Sequence, residues 1–107
     1  MATIKEDYVS YEVAKLLKEK GFDEMVISFY PPGDIQRPTH QMAMKWLREV
    51  HNINIMPESV WDGKKWEYQL FIVTPQNADS PYYEHIPYKS YEECVEAGIK
   101  YSLENLI

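Results

Sequence analysis

"INIMPESVWDGKKWEYQLFIVT", residues 53–74, sets two β-rich runs on either side of Asp62-Gly63. An Asp-Gly pair between such runs is one of the stronger local signals for a β-hairpin. The register follows from parity. Facing residues of an antiparallel pair sum to a constant, and placing Ile53 and Ile55 on one face with Tyr68, Leu70 and Ile72 requires that sum to be odd. A two-residue loop sets Trp61 opposite Lys64, and a four-residue loop sets it opposite Trp66. Both keep the apolar face intact, whereas a three-residue loop breaks it. In either register the two tryptophans share the isoleucine face, with Trp66 expected well inside and Trp61 nearer the turn, partly exposed and a candidate binding residue.

Around this hairpin the chain supplies three helices and one further strand. "SYEVAKLLKEKGF" (10–22) predicts a helix capped by Ser10, with Val13, Leu16 and Leu17 inward. Gly21 is the stop, with Phe22 folding back on Leu17. "MVISFY" (25–30) alternates Met25, Ile27 and Phe29 with Val26, Ser28 and Tyr30 and predicts a strand broken by "PPGD". Thr39 caps a second helix, "HQMAMKWLREVH", whose inner face is expected at Met42, Trp46 and Val50 with Ala43 and Leu47 beside them. The stretch 75–89 holds three prolines and no period, and reads as a long loop. "SYEE" at 90–93 is a capping box opening a last helix with Tyr91, Val95, Ile99, Leu103 and Leu106 inward and Cys94, Gly98 and Ser102 flanking.

The expected fold is a single α+β domain over residues 1–107, in the order α-β-α-β-β-α. Three helices pack on a three-stranded, mainly antiparallel sheet of order 1-3-2. The 65–74 strand is the most apolar and belongs in the centre, whereas Pro57 cannot donate to a ladder and puts the 53–61 strand at an edge. The 25–30 strand then lies on the far side, in a split β-α-β arrangement. Order 1-2-3 is the alternative.

Composition narrows the function classes. Seventeen acidic against eleven basic residues give a formal charge of −6, so nucleic acid is not the expected partner. The charge is uneven, −1 over residues 1–54 and −5 over 55–107. One cysteine, Cys94, allows no internal disulfide, and no run approaches the ~20 apolar residues of a membrane span. With no apolar signal-peptide core in the first dozen residues, a cytoplasmic location is the expectation.

Catalytic groups do not converge. His40 and His51 sit at opposite ends of one helix, roughly 16 Å apart. His85 has no Cys or His at ligand spacing, so no metal and no cofactor is expected. Glu92, Glu93 and Glu96 surround Cys94 in sequence and oppose thiolate formation, while carboxylates in a first helical turn already have a structural reason to be there. A non-enzymatic chain is expected, with a small enzyme whose site lies under the 75–89 loop kept as an alternative. That loop carries Tyr82, Tyr83, His85 and Tyr88, amphipathic groups suited to a protein interface or to sealing the core beneath. Arg37, Lys45 and Arg48, in and before the second helix, are the candidates for the other alternative, a nucleic-acid-associated regulator. The 10–22 helix resembles the first helix of excisionase-like helix-turn-helix modules, but a strand-like run stands where their recognition helix belongs.

"MAMKWLREVHNINI" (42–55), the aromatic hairpin with Trp66 and Tyr68, "YEVAKLLKEKGFDE" (11–24) and the ending "SYEECVEAGIKYSLENLI" (90–107) together resemble a family of small proteins of gut Bacteroidota and of their phages and prophages. That family has no assigned activity. The resemblance implies a phage or mobile-element accessory protein, and the residues favour one that binds another protein, a homodimer being one form of that partnership.

Overall fold

The computed structural model describes residues 5–107. The chain is α+β, with the elements α1 (Tyr11–Glu19), β1 (Phe29–Tyr30), β2 (Ile35–Gln36), α2 (His40–His51), β3 (Asn54–Trp61), β4 (Trp66–Val73), β5 (Tyr82–Tyr83) and α3 (Tyr91–Asn105). The strands form two antiparallel sheets, a β1-β2 hairpin and a three-stranded sheet ordered β3-β4-β5.

This corrects the expected topology. β4 is central and β3, with Pro57, is an edge, but the third strand is not the 25–30 run. The four-residue PPGD segment folds Phe29–Tyr30 back onto Ile35–Gln36, and only two residues of the expected strand enter a ladder. The place beside β4 is filled from the 75–89 stretch, by β5 and by a bridge between Tyr68 and Tyr88. Among the described residues no split β-α-β unit forms, because the chain found a nearer partner at both points, and short connections outcompete long crossovers.

Local signals act where the sequence has them. Ser10, Thr39 and Ser90 each accept the backbone N–H three residues on. Gly21, at φ +93°, closes α1 with Phe22 N–H donating to Leu17 and Gly21 N–H to Lys18, the paired bonds of a Schellman stop. Phe22 and Leu17 both join the core.

α2 and α3 cover one face of the main sheet, where Ile53, Ile55, Leu70 and Ile72 are buried with Leu47, Val95, Ile99 and Leu103, and α1 packs on α3 and β2. α3 comes closest at Gly98. A Cβ there would stand 2.7 Å from Ile55 Cγ2 and 3.0 Å from Leu70 Cδ1, so the lack of a side chain sets the helix-to-sheet distance. The α2 face is rotated from the expected one: His40, Ala43, Met44, Trp46 and Leu47 are buried, while Val50 is exposed. His40 takes part because its imidazole has a partner inside. Its Nε2 lies 2.9 Å from Glu96 Oε1, and Glu96 also accepts the Ser10 N–H at 3.2 Å, so one carboxylate ties the starts of α1 and α2 to α3.

Candidate functional site: the hairpin tip

The β3-β4 register pairs Trp61 with Trp66 and leaves the four-residue loop 62–65, deciding between the two expected registers. Asp62 builds that loop. Its Oδ1 accepts the N–H groups of Lys64 and Lys65, both at 2.8 Å, and its own N–H donates to the Lys65 carbonyl at 3.1 Å. The backbone donors of Lys65 and Lys64 hold the Asp62 carboxyl below the usual carboxylate range.

Main-chain alternation places the pair. Tyr68 exchanges both backbone bonds with Tyr88, and the Leu70 carbonyl accepts from Glu84, so the even residues of β4 point toward the β5 side. Its odd residues therefore bond β3, and Trp61–Trp66 is a non-hydrogen-bonded rung, where cross-strand side chains stand closest. The indole centroids are 5.3 Å apart at 64°, an edge-to-face pair. The same alternation points the Pro57 nitrogen outward from the sheet, so its missing donor costs the ladder nothing.

Both tryptophans lie more than half in the open, Trp61 at 55% and Trp66 at 53%. The expectation that Trp66 sits well inside is thereby corrected, and the helix layer gives the reason. The first residue of α3, Tyr91, meets Tyr68 edge-to-face at 5.8 Å, and the hairpin runs two rungs further, beyond the start of that helix, to the Trp61–Trp66 pair. Lys64 and Lys65 crown this overhang, and no ion pair among the described residues involves them. The site is two held indoles flanked by two free ammonium groups, in the half of the chain that is otherwise most acidic.

Comparison with protein-family models, with curated proteins and with solved structures found no match.

The other candidate residues are distributed. Tyr82 and Tyr88 turn toward the helices. Tyr82 stacks on Tyr101 at 4.0 Å, and both hydroxyls donate to Glu84, at 3.0 Å from Tyr82 and 2.6 Å from Tyr88. Burial and then the Glu84 carboxylate push Tyr82 up to about 12 and raise Tyr88 as well. Tyr83 points to the opposite face of the sheet, stacked on Phe71 at 4.6 Å, with its hydroxyl accepting from Gln69 and His85 edge-on at 4.8 Å. The loop is thus clasped by an acidic side chain that the sequence reading passed over. The signal was present in "YYEHIPY" (82–88), a glutamate set among tyrosines.

Cys94 lies fully buried in α3, and burial followed by the charge of Glu84 pushes its thiol up to about 11. Arg37 lays its guanidinium over Tyr8 at 4.2 Å and donates to Ser28 Oγ, while Lys45 and Arg48 stand exposed on α2 and line separate hollows. Among the described residues no group of three or more His, Cys, Asp or Glu side chains is placed to hold a metal ion, and no helix is long and apolar enough to cross a membrane.

Proposed function

We propose that this chain is a non-enzymatic accessory protein that acts by binding another protein, and that the Trp61–Trp66 hairpin tip is its contact. One observation carries the reading: two large aromatic side chains stand more than half exposed on a rigid ladder that does not need them for its core. Tryptophan is among the residues that dominate interface energetics, and a side chain already held in place loses little freedom on binding. Lys64 and Lys65 favour a partner surface with carboxylates around an apolar recess. The resemblance to proteins of gut Bacteroidota and their phages supports a bacterial host protein as that partner.

A photo-crosslinking amino acid in place of Lys64, in the full chain mixed with host lysate, tests this. Expected is one defined protein adduct, absent when Trp61→Ala and Trp66→Ala are added and absent when the crosslinker replaces Asn54 at the far end of β3. Equal labelling from both positions, or retention on DNA that weakens steeply with salt and depends on Lys45 and Arg48, would overturn the proposal in favour of non-specific contact or of a nucleic-acid regulator.

A further inference from the structure

Arg37 is a half-buried cation with no counter-ion among the described residues. Its guanidinium lies 4.2 Å from the Tyr8 ring centroid and 5.4 Å from that of Tyr30, and Nη1 donates to Ser28 Oγ at 3.3 Å. Nε is buried without a hydrogen-bond partner. The ring faces offset part of the charge but leave donors of the fork unfilled, and such vacancies cost stability. The side chain lines a hollow of about 330 Å³. The N-terminal stretch is pinned beside it, with the Val9 N–H donating to the Pro38 carbonyl at 3.1 Å and the His40 N–H to the Asp7 carbonyl at 2.8 Å, and this brings Glu6 to the same hollow. Glu6 is exposed and has no ion pair among the described residues, so two opposite charges line one hollow without meeting. The wall between is apolar. Met25, Ile27 and Met42 line it at 90%, 96% and 36% exposure, and the fold itself gains little from side chains so far in the open.

We infer that this hollow binds a free α-amino acid with an aliphatic side chain, its carboxylate on Arg37, its ammonium toward Glu6 and its side chain over Met25, Ile27 and Met42. Each part of the ligand answers one feature of the hollow. A planar carboxylate matches the guanidinium fork and supplies the acceptors it lacks. An inorganic anion would leave the apolar wall wet, a plain aliphatic carboxylate would set its charge near that of Glu6, and an amine would leave Arg37 as it stands. The volume lies at the small end of the roughly 300–1,000 Å³ of ligand pockets, which suits one small molecule. Half-burial strengthens the Arg37 bond, whereas the exposed Glu6 contributes less and acts on selectivity. Two methionines in the wall adapt to side chains of different shape, so the site selects the aliphatic class and not a single member of it. The hollow shares no residue with the hairpin tip.

NMR of the full chain with labelled methionine methyl groups, titrated with L-leucine to about 10 mM as the weak affinity of so small a ligand requires, reads this directly. Saturable shifts of the Met25 and Met42 methyl signals are expected, while the indole N–H signals of Trp61 and Trp66 stay put. Isoamylamine, which lacks the carboxylate, and glycine, which lacks the side chain, are each expected to bind at least about tenfold more weakly than leucine. Isocaproate, which lacks the ammonium, is expected to bind about two- to fivefold more weakly. Glu6→Gln, a change at an exposed position that leaves the urea midpoint in place, should remove the advantage of leucine over isocaproate. Arg37→Met should abolish leucine binding, and since it also removes the contacts on Tyr8 and Tyr30, the ligand series on the wild type and Glu6→Gln keeps the outcome decisive if that variant unfolds. No shift at the highest leucine concentration, equal binding of isoamylamine or glycine, or leucine binding unchanged by Glu6→Gln would overturn the inference.

Discussion

Replacing Gly98 with alanine sets two opposite effects against each other. In an exposed helix the change stabilises by about 1 kcal/mol, because alanine has less backbone freedom to lose. Here the new methyl carbon would stand 2.7 Å from Ile55 Cγ2 and 3.0 Å from Leu70 Cδ1, closer than atoms of these kinds tolerate. Ile55 and Leu70 are both buried and cannot swing into solvent. Forcing one extra carbon into such a core costs about 1–3 kcal/mol, so a net loss of about 1 kcal/mol is expected. In urea that appears as a midpoint lowered by about 0.5–1 M, with an unchanged slope. The sign should reverse once Ile55 is alanine, which removes the 2.7 Å contact and opens space into which Leu70 Cδ1 can shift from the remaining one. In that background Gly98→Ala is expected to stabilise by about 1 kcal/mol, a coupling of about 2 kcal/mol across the double-mutant cycle. Stabilisation by Gly98→Ala in the wild type would refute the reasoning, since α3 would then not be seated on the sheet through its glycine.

Glu96 should make stability pH-dependent. Burial pushes its carboxyl up, but the bonds from His40 and Ser10 outweigh it and hold the group below its ordinary value of 4.5. A depressed carboxylate contributes stability that is present above about pH 4.5 and lost as pH falls through the lower folded value. Glu96→Gln should therefore cost about 1–2 kcal/mol near pH 7, and the gap to wild type should close in urea titrations carried below pH 4.5. Cys94, buried and raised to about 11, should resist alkylation in the folded protein and react only as fast as the chain unfolds, so its labelling rate in rising urea should track the circular dichroism of the helices.

What the sequence made legible was local. Ser10, Thr39 and Ser90 announce helix starts because a hydroxyl can satisfy an N–H three residues away, and Gly21 announces a stop because few other residues adopt its φ. The 53–74 hairpin was equally legible, with its register narrowed by parity to two choices, of which Asp62 selects the longer by accepting two backbone N–H groups of the loop. Long-range competition was not legible. Nothing in "MVISFY" says that its partner is the nearby Ile35–Gln36 rather than β4, and although "PYYEHIPY" shows a glutamate among tyrosines, nothing in it says that Tyr82–Tyr83 become the third strand. The exposure of Trp66 was hidden for a related reason. Face parity sets the side of the sheet a residue occupies, but only the start of α3 at Tyr91 determines how far the covering layer reaches.

That Trp61 and Trp66 serve contact and not the fold is tested most directly by the stability of Trp61→Ala and of Trp66→Ala, each taken singly. An edge-to-face aromatic pair adds about 0.5–1.5 kcal/mol to the area its rings bury, and each indole is a little under half covered, so a loss of about 1–2 kcal/mol in urea unfolding is predicted for each single variant. A loss of about 3–5 kcal/mol, the cost of truncating a single core aromatic, would make the pair part of the core and contradict the claim.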